Sequence, residues 1–133
     1  QFIRDIMPVY EKQLDFYKGG LGFYEAGDMS SSASDDEHRV QARATYDFAL
    51  QAAMSGKYQL VICDEINNAV HDGLLVTEDL KKLIEQKHAD TSLCLTGRNF
   101  PDELLDRVDI ATGMMKLKHH FDDKYLANKG IDY

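Results

Sequence analysis

The 133 residues hold no Trp, two Pro and two Cys, and no apolar run near the roughly 18 residues of a membrane-spanning helix. The first residues show no basic-then-apolar export signal. Two Cys are too few for a disulfide scaffold, so a reducing, cytoplasmic compartment is expected. Basic residues are also scarce: 15 Lys+Arg stand against 23 Asp+Glu, a net charge of −8. That balance excludes a broad nucleic-acid-binding face but leaves room for a small local anion site. What is present suits folding: 44% apolar and 29% charged residues fit one globular domain spanning residues 1–133. The chain opens abruptly on Gln1-Phe2-Ile3, without an initiator Met and without a cap or turn before it.

The three opening residues read as the tail of an apolar strand that starts upstream. Residues 13–17 (QLDFY) alternate and predict a short strand. Residues 18–22 (KGGLG) form a glycine-rich loop, and 29–36 (MSSSASDD) a polar, Ser-rich stretch. Asp35 or Asp36 is the expected N-cap of a helix that buries Val40, Ala44, Phe48 and Leu50 and ends near Ser55-Gly56. Residues 58–63 (YQLVIC) predict a strand buried on both faces. Thr77 is expected to cap a helix with Leu80, Leu83 and Ile84 inward. Residues 91–96 (TSLCLT) predict another strand. Asn99 is the expected cap of a third helix, with Pro101 near its start and Leu104 and Leu105 inward. Residues 108–112 predict a last strand. Strands alternating with helices imply an α/β fold: three layers, a mostly parallel sheet and helices on both faces. Ligands then sit beyond the carboxyl ends of the strands.

Four groups of residues carry possible chemistry. In VICDEINNA, residues 61–69, two carboxylates, Asp64 and Glu65, end an apolar strand. Hard oxygen ligands of this kind hold Mg²⁺ in a Walker-B arrangement; a plain polar strand end reads equally well. In CLTGR, residues 94–98, Arg98 ends the next strand, and its planar fork suits phosphate. A surface Arg paired with Glu65 or Asp102 is the plainer alternative. In GGLGFYE, residues 19–25, the glycines admit a close ligand, and Phe23 and Tyr24 suit a flat ring, or else anchor the loop in the core. In LKHHF, residues 117–121, adjacent His residues share no helix face and make a poor metal pair. His71 and His88 are isolated. Cys63 and Cys94 lie inside predicted strands and read as buried, inert thiols.

In this order the segments resemble the P-loop type of ATP:corrinoid adenosyltransferase, which acts on cob(I)alamin or cob(I)yrinic acid a,c-diamide. QFI (1–3) resembles its second strand and LVICDEINNAVHDGLL (60–75) its Walker-B strand. LTGRNFPDELLDRVDIATGM (95–114) resembles its Thr-Gly-Arg segment, helix and next strand, and LKHHFDDKYLANKGIDY (117–133) its closing pattern. The resemblance implies a RecA-like fold and transfer of the 5′-deoxyadenosyl group of ATP to Co(I), with tripolyphosphate leaving. It implies that Asp64 and Glu65 hold Mg²⁺ (or Mn²⁺), that Arg98 and Asn67 contact the nucleotide, and that Leu21, Phe23 and Tyr24 meet the corrinoid. It also implies a homodimer and a flavoprotein-type reductase as electron donor.

Three departures are visible. No Gly-Lys-Thr or Gly-Lys-Ser occurs in the chain, so the first strand and phosphate loop are expected to lie upstream, and this chain alone is expected to bind ATP poorly and to be inactive. Glu25 stands where the family carries Trp. Gly113 replaces an acidic residue, and Arg4-Asp5 replaces Lys-Gly. Two alternatives follow: a P-loop-related ATPase, or a non-catalytic corrinoid-binding module that has lost its phosphate loop.

Overall fold

A computed structural model describes residues 2–11, 13–22, 24, 31–119, 122 and 125. In chain order it contains α1 (Phe2–Tyr10), α2 (Asp35–Met54), β1 (Leu60–Cys63), α3 (Ile66–His71), α4 (Thr77–Gln86), β2 (Ser92–Leu95) and a 3-10 helix (Asp102–Arg107). β1 and β2 form a two-stranded parallel sheet, in register from Leu60↔Ser92 to Cys63↔Leu95. Parallel neighbours need a long crossover, and α3 and α4 supply it. The fold is thus α/β, with a small parallel sheet and helices. Among the described residues no helix is long and apolar enough to cross a membrane.

The longest helix is fixed locally before it is packed. Ser34 is its N-cap, and the reciprocal box closes with Ser34 N–H donating to Glu37 Oε2 at 2.8 Å and Glu37 N–H to Ser34 Oγ at 3.3 Å. The cap therefore precedes both expected candidates, Asp35 and Asp36. Those Ser34 contacts hold the Glu37 carboxyl below its ordinary range, the backbone donor having the largest effect. The helix ends at Met54, where expected.

Its inward face differs from the expected one. Val40 and Phe48 are 70% and 48% exposed, whereas Leu50 is buried as expected, together with Tyr46 and Ala53. Both stripes have helical spacing, so periodicity alone could not choose between them. The sheet took the stripe with Tyr46. Phe48 instead stacks on Tyr17 at 4.6 Å.

Alternation along the strands divides the sheet into two unlike faces. Val61, Cys63, Leu93 and Leu95 join the core with Tyr46, Leu50, Leu80, Leu83 and Leu104. Leu60 and Ile62 are 53% and 60% exposed on the other face. β1 is therefore not buried on both faces; among the described residues, helices cover one side only. Cys94 is on the uncovered face and exposed, contrary to expectation, while Cys63 is buried and both thiols are free. Burial, and then the neighbouring Cys94, push the Cys63 thiol up to about 11, so it is inert as a nucleophile.

Three predicted strands do not form. Residues 2–10 are helical. A three-residue strand needs a neighbour's edge for its hydrogen bonds, whereas a helix closes its own. Residues 13–17 and 108–112 lie outside any ladder. Ile110 is 85% exposed, and among the described residues no strand edge is presented to it. Two caps move as well. Val76, not Thr77, holds the N-cap place of α4. Asn99 is a left-handed residue with φ of 56° rather than a cap, and the segment after it winds as a 3-10 helix that buries Leu104 but leaves Leu105 44% exposed.

α2 and α4 are joined by Asp79. Its carboxylate takes a bidentate pair from Arg43, both bonds 2.8 Å, and the Val76 N–H at 3.0 Å. Burial alone would raise Asp79, but these donors together hold it below its ordinary value. The sign follows directly. A depressed folded value stabilises fully above the unfolded carboxylate value of about 3.9, and that stabilisation disappears as pH falls through the folded value. Asp79→Asn should cost about 1–2 kcal/mol at pH 7, with Arg43's exposure discounting the pair. In urea unfolding, the gap between variant and parent should stay constant from neutral pH to about pH 5 and then narrow below about pH 4. A gap that widened on acidification would contradict the assignment.

Candidate functional site

The carboxyl ends of β1 and β2 are stitched together side by side. Beyond Cys63 the chain turns through Glu65, a non-glycine residue with φ of 60° and ψ of 17°, and enters α3. Such a conformation costs on the order of 1–3 kcal/mol and persists only where the surroundings enforce it. Here Thr96 enforces it. The Thr96 hydroxyl donates to Asp64 Oδ1 at 2.6 Å and accepts the Glu65 N–H at 2.9 Å. One side chain thereby fixes both carboxylate-bearing residues. The backbone repeats the tie, with Thr96 N–H donating to Cys63 O at 3.2 Å and Asn67 N–H donating to Thr96 O at 3.2 Å.

Asn68 makes the second tie. Its Oδ1 accepts the Arg98 N–H at 2.7 Å, and its amide nitrogen donates to Glu65 Oε2. Gly97 lies directly against this amide. Its φ is 120°, and a β-carbon there would come within 2.9 Å of Asn68 Oδ1 and 3.0 Å of Asn67 Cβ. Glycine is therefore a steric requirement of the Thr-Gly-Arg segment.

The expected residues Asp64, Glu65, Asn67 and Arg98 thus come together on one sheet edge. Asp64, Glu65 and Arg98 are exposed. Among the described residues no hydrogen-bond or ion-pair partner faces the Arg98 guanidinium, so the anticipated pairing with Glu65 or Asp102 does not occur. Asn67 is different: only 4% exposed, with an Oδ1 that has no partner among the described residues. Among those residues no three His, Cys, Asp or Glu side chains cluster as a metal site. Two adjacent carboxylates nevertheless match the way Mg²⁺ is held when phosphates and water complete its shell.

The ring-binding candidates form a second group, against the first turns of α2. Leu21 is 42% exposed and lines an open cleft of about 350 Å³ with Asp36, Glu37, Val40 and Gln41. Tyr24 is half-buried, its ring 5.0 Å from that of His38. Phe23 lies outside the described residues, as do Glu25, His120 and the closing GIDY segment. Gly19 brings the loop onto the helix. Its carbonyl accepts the Thr45 hydroxyl at 3.0 Å, and a β-carbon there would meet Thr45 Cγ2 at 2.1 Å.

Sequence reasoning missed three residues. Thr96 and Asn68 build the edge, yet the sequence reading assigns neither a role. A hydroxyl at the tip of the strand beside an acidic strand tip was the available signal. His38 gave none, since a lone His in a polar helix start reads as surface.

Comparison with known proteins bears on this arrangement. Residues 1–133 match the family described as ATP:corrinoid adenosyltransferase BtuR/CobO/CobP. A corrinoid adenosyltransferase of Sinorhizobium sp is 29% identical, covering all of this chain and 64% of its own length. The Escherichia coli K12 corrinoid adenosyltransferase is 28% identical over all of this chain and 68% of its own, and that of Pseudomonas aeruginosa 25% identical over 85% and 57%. The chain thus spans between 57% and 68% of the length of these relatives. No solved structure matches it. The full-length family match shows that this chain belongs to the ATP:corrinoid adenosyltransferases.

Proposed function

We propose that the protein transfers the 5′-deoxyadenosyl group of ATP to the Co(I) of a corrinoid. The observation that carries this reading is the tie of Asp64, Glu65 and Arg98 to one sheet edge by Thr96 and Asn68. In the proposed reaction Co(I) gives an electron pair to C5′ and becomes Co(III). The C5′–O bond breaks, and tripolyphosphate leaves with its pair. Cobalt is itself the nucleophile, so no Ser or Cys nucleophile is needed. What remains for the protein is to position the substrates and exclude water.

Asp64 and Glu65 would hold Mg²⁺, which supplies charge neutralisation on the phosphates. Arg98 would donate its fork to the phosphate oxygens, where charge grows as the leaving group departs. The orphaned Asn67 oxygen is an acceptor for a nucleotide donor, and satisfying it would recover part of its desolvation cost. Leu21, Phe23 and Tyr24 would meet the corrinoid. The finer fold, a RecA-like three-layer sheet, a homodimeric state and a flavoprotein-type electron donor belong to the same proposal.

The test combines Co(I) corrinoid, Mg²⁺ and ATP with this chain, and with the gene product read from its start codon, while the absorbance change of Co–C bond formation is followed. Arg98→Ala should weaken MgATP binding about 10- to 100-fold, the loss of charge-assisted hydrogen bonds. Folded protein that forms no adenosyl product in either form would overturn the reading. Phosphate release without corrinoid would favour an ATPase instead. A gene product whose upstream residues also lack Gly-Lys-Thr or Gly-Lys-Ser would favour a second reading, a corrinoid-binding module without catalysis. Tight corrinoid binding with no turnover would select it.

A further inference from the structure

Among the described residues three polar side chains are buried: His38, Asn67 and Thr91. Asn67 belongs to the sheet edge, and the Thr91 hydroxyl donates to Tyr58 O at 2.8 Å. His38 is used by neither. It is only 7% exposed, yet it sits one turn into a helix that opens with Asp35, Asp36 and Glu37. An imidazole is buried at such a polar place only if something covers it and satisfies its nitrogens.

Two residues from outside α2 do so. Ser31 Oγ is 2.7 Å from His38 Nε2, and the Tyr24 ring lies 5.0 Å away at 59°. Ser31 Oγ also accepts the Ala33 N–H at 3.3 Å, so the hydroxyl is held from both sides. Tyr24 and Ser31 bracket residues 25–30, and Tyr24 follows the glycine loop that Thr45 anchors at Gly19. Leu21 of that loop lines the cleft over Asp36, Glu37, Val40 and Gln41. The loop is therefore fixed to α2 by Thr45 before it and by His38 after it.

We propose that His38 is a positioning residue: it clamps Tyr24 and Ser31 onto α2, and so holds the loop bearing Leu21 and Tyr24 in the one arrangement that accepts a corrin ring. The inference rests on the reading that this loop takes the corrinoid. Its physical basis is preorganisation. A ligand that binds only the clamped loop loses apparent affinity in proportion to the fraction of molecules that leave that state. Removing one buried hydrogen bond and one ring contact should reduce that fraction about tenfold.

Cob(II)alamin is titrated into the parent chain, His38→Ala, His38→Gln and Ser31→Ala, with binding followed by quenching of tyrosine fluorescence. Hydrogen exchange is measured on the same samples. His38→Ala and Ser31→Ala should bind about tenfold more weakly. They should exchange faster at residues 19–24 and unchanged at residues 60–63 and 92–95. His38→Gln keeps a hydrogen-bonding group for Ser31 and should recover most of the affinity. Parent-like binding by His38→Ala would overturn the clamp. So would exchange that accelerates equally in the sheet, because His38 would then be only a packing residue. If the parent itself fails to bind cobalamin, the corrinoid reading falls. The clamp then stands if His38→Ala still speeds exchange at 19–24 alone, and falls if it does not.

Discussion

Gly97→Ala should destabilise the protein by about 2–3 kcal/mol and weaken any MgATP binding with it. Two opposing terms set the sign. Replacing glycine by alanine restricts the unfolded chain, which favours folding by roughly 0.4–1 kcal/mol. Against this, Gly97 has φ of 120°, a region closed to side chains. The added β-carbon would also meet Asn68 Oδ1 at 2.9 Å, Asn67 Cβ at 3.0 Å and Asn68 N at 3.2 Å. All three atoms belong to Asn67 and Asn68 in the first turn of α3, which is pinned by Asn67 N–H to Thr96 O and cannot step aside cheaply. Relief would come from turning the Asn68 amide, which breaks its bond to the Arg98 N–H. The substitution therefore attacks the fold and the sheet edge through the same contact. Gly113→Ala is the control: a β-carbon there meets nothing within 4 Å, and its effect should stay within about 0.5 kcal/mol. Urea midpoints of the two variants decide the matter. Equal stability would show that residues 97–98 are free to move, and that the Thr-Gly-Arg segment does not hold the edge as described.

That edge was largely legible in the sequence, and the reason is chemical. Asp64 and Glu65 after an apolar run, and Arg98 after another, are residue types whose burial is costly, so they mark strand ends in any fold of this class. Thr96 and Asn68 were not legible because their role is relational. A threonine becomes the bridge between two carboxylate-bearing residues only once the β1–β2 register sets Cys63 beside Leu95. The inward face of α2 was misread for a related reason. Leu50 is buried as expected, but Val40, Ala44 and Phe48 are as periodic as Tyr46 and Ala53, and only the position of the sheet distinguishes them. The strand predictions at residues 1–3, 13–17 and 108–112 failed where pairing, rather than composition, decides. β propensity describes fit to a pleated surface, and among the described residues none of these segments has such a surface beside it. Leu60 and Ile62 show the same limit from the other side. Their apolar character predicted cover on both faces, and they are half-exposed or more.

Leu83→Ala should have the largest effect, about 2–5 kcal/mol, from lost transfer free energy and the cavity left behind. Leu83 and Leu80 are both 0% exposed, three residues apart on the face of α4 that closes the core. Against a total stability typical of domains, about 5–15 kcal/mol, a loss of that size removes much of the folded margin. The helix is also the crossover between β1 and β2, so it holds the register on which the Asp64–Thr96–Glu65 bridge depends. Leu104→Ala should behave similarly, at 2% exposure, whereas Leu105→Ala, at 44% exposure, should cost less than about 1 kcal/mol. The sequence places that pair on one inward face, and their melts separate the two arrangements cleanly. A further contrast distinguishes packing from binding. Leu83→Ala should lower apparent MgATP affinity only as far as it lowers the folded fraction, so the affinity should return on cooling or in a stabilising osmolyte. Arg98→Ala should lower affinity with the urea midpoint unchanged, because its exposed guanidinium has no partner among the described residues to lose. If both variants lost affinity and stability in step, Arg98 would be part of the packing, and its proposed contact with phosphate would be wrong.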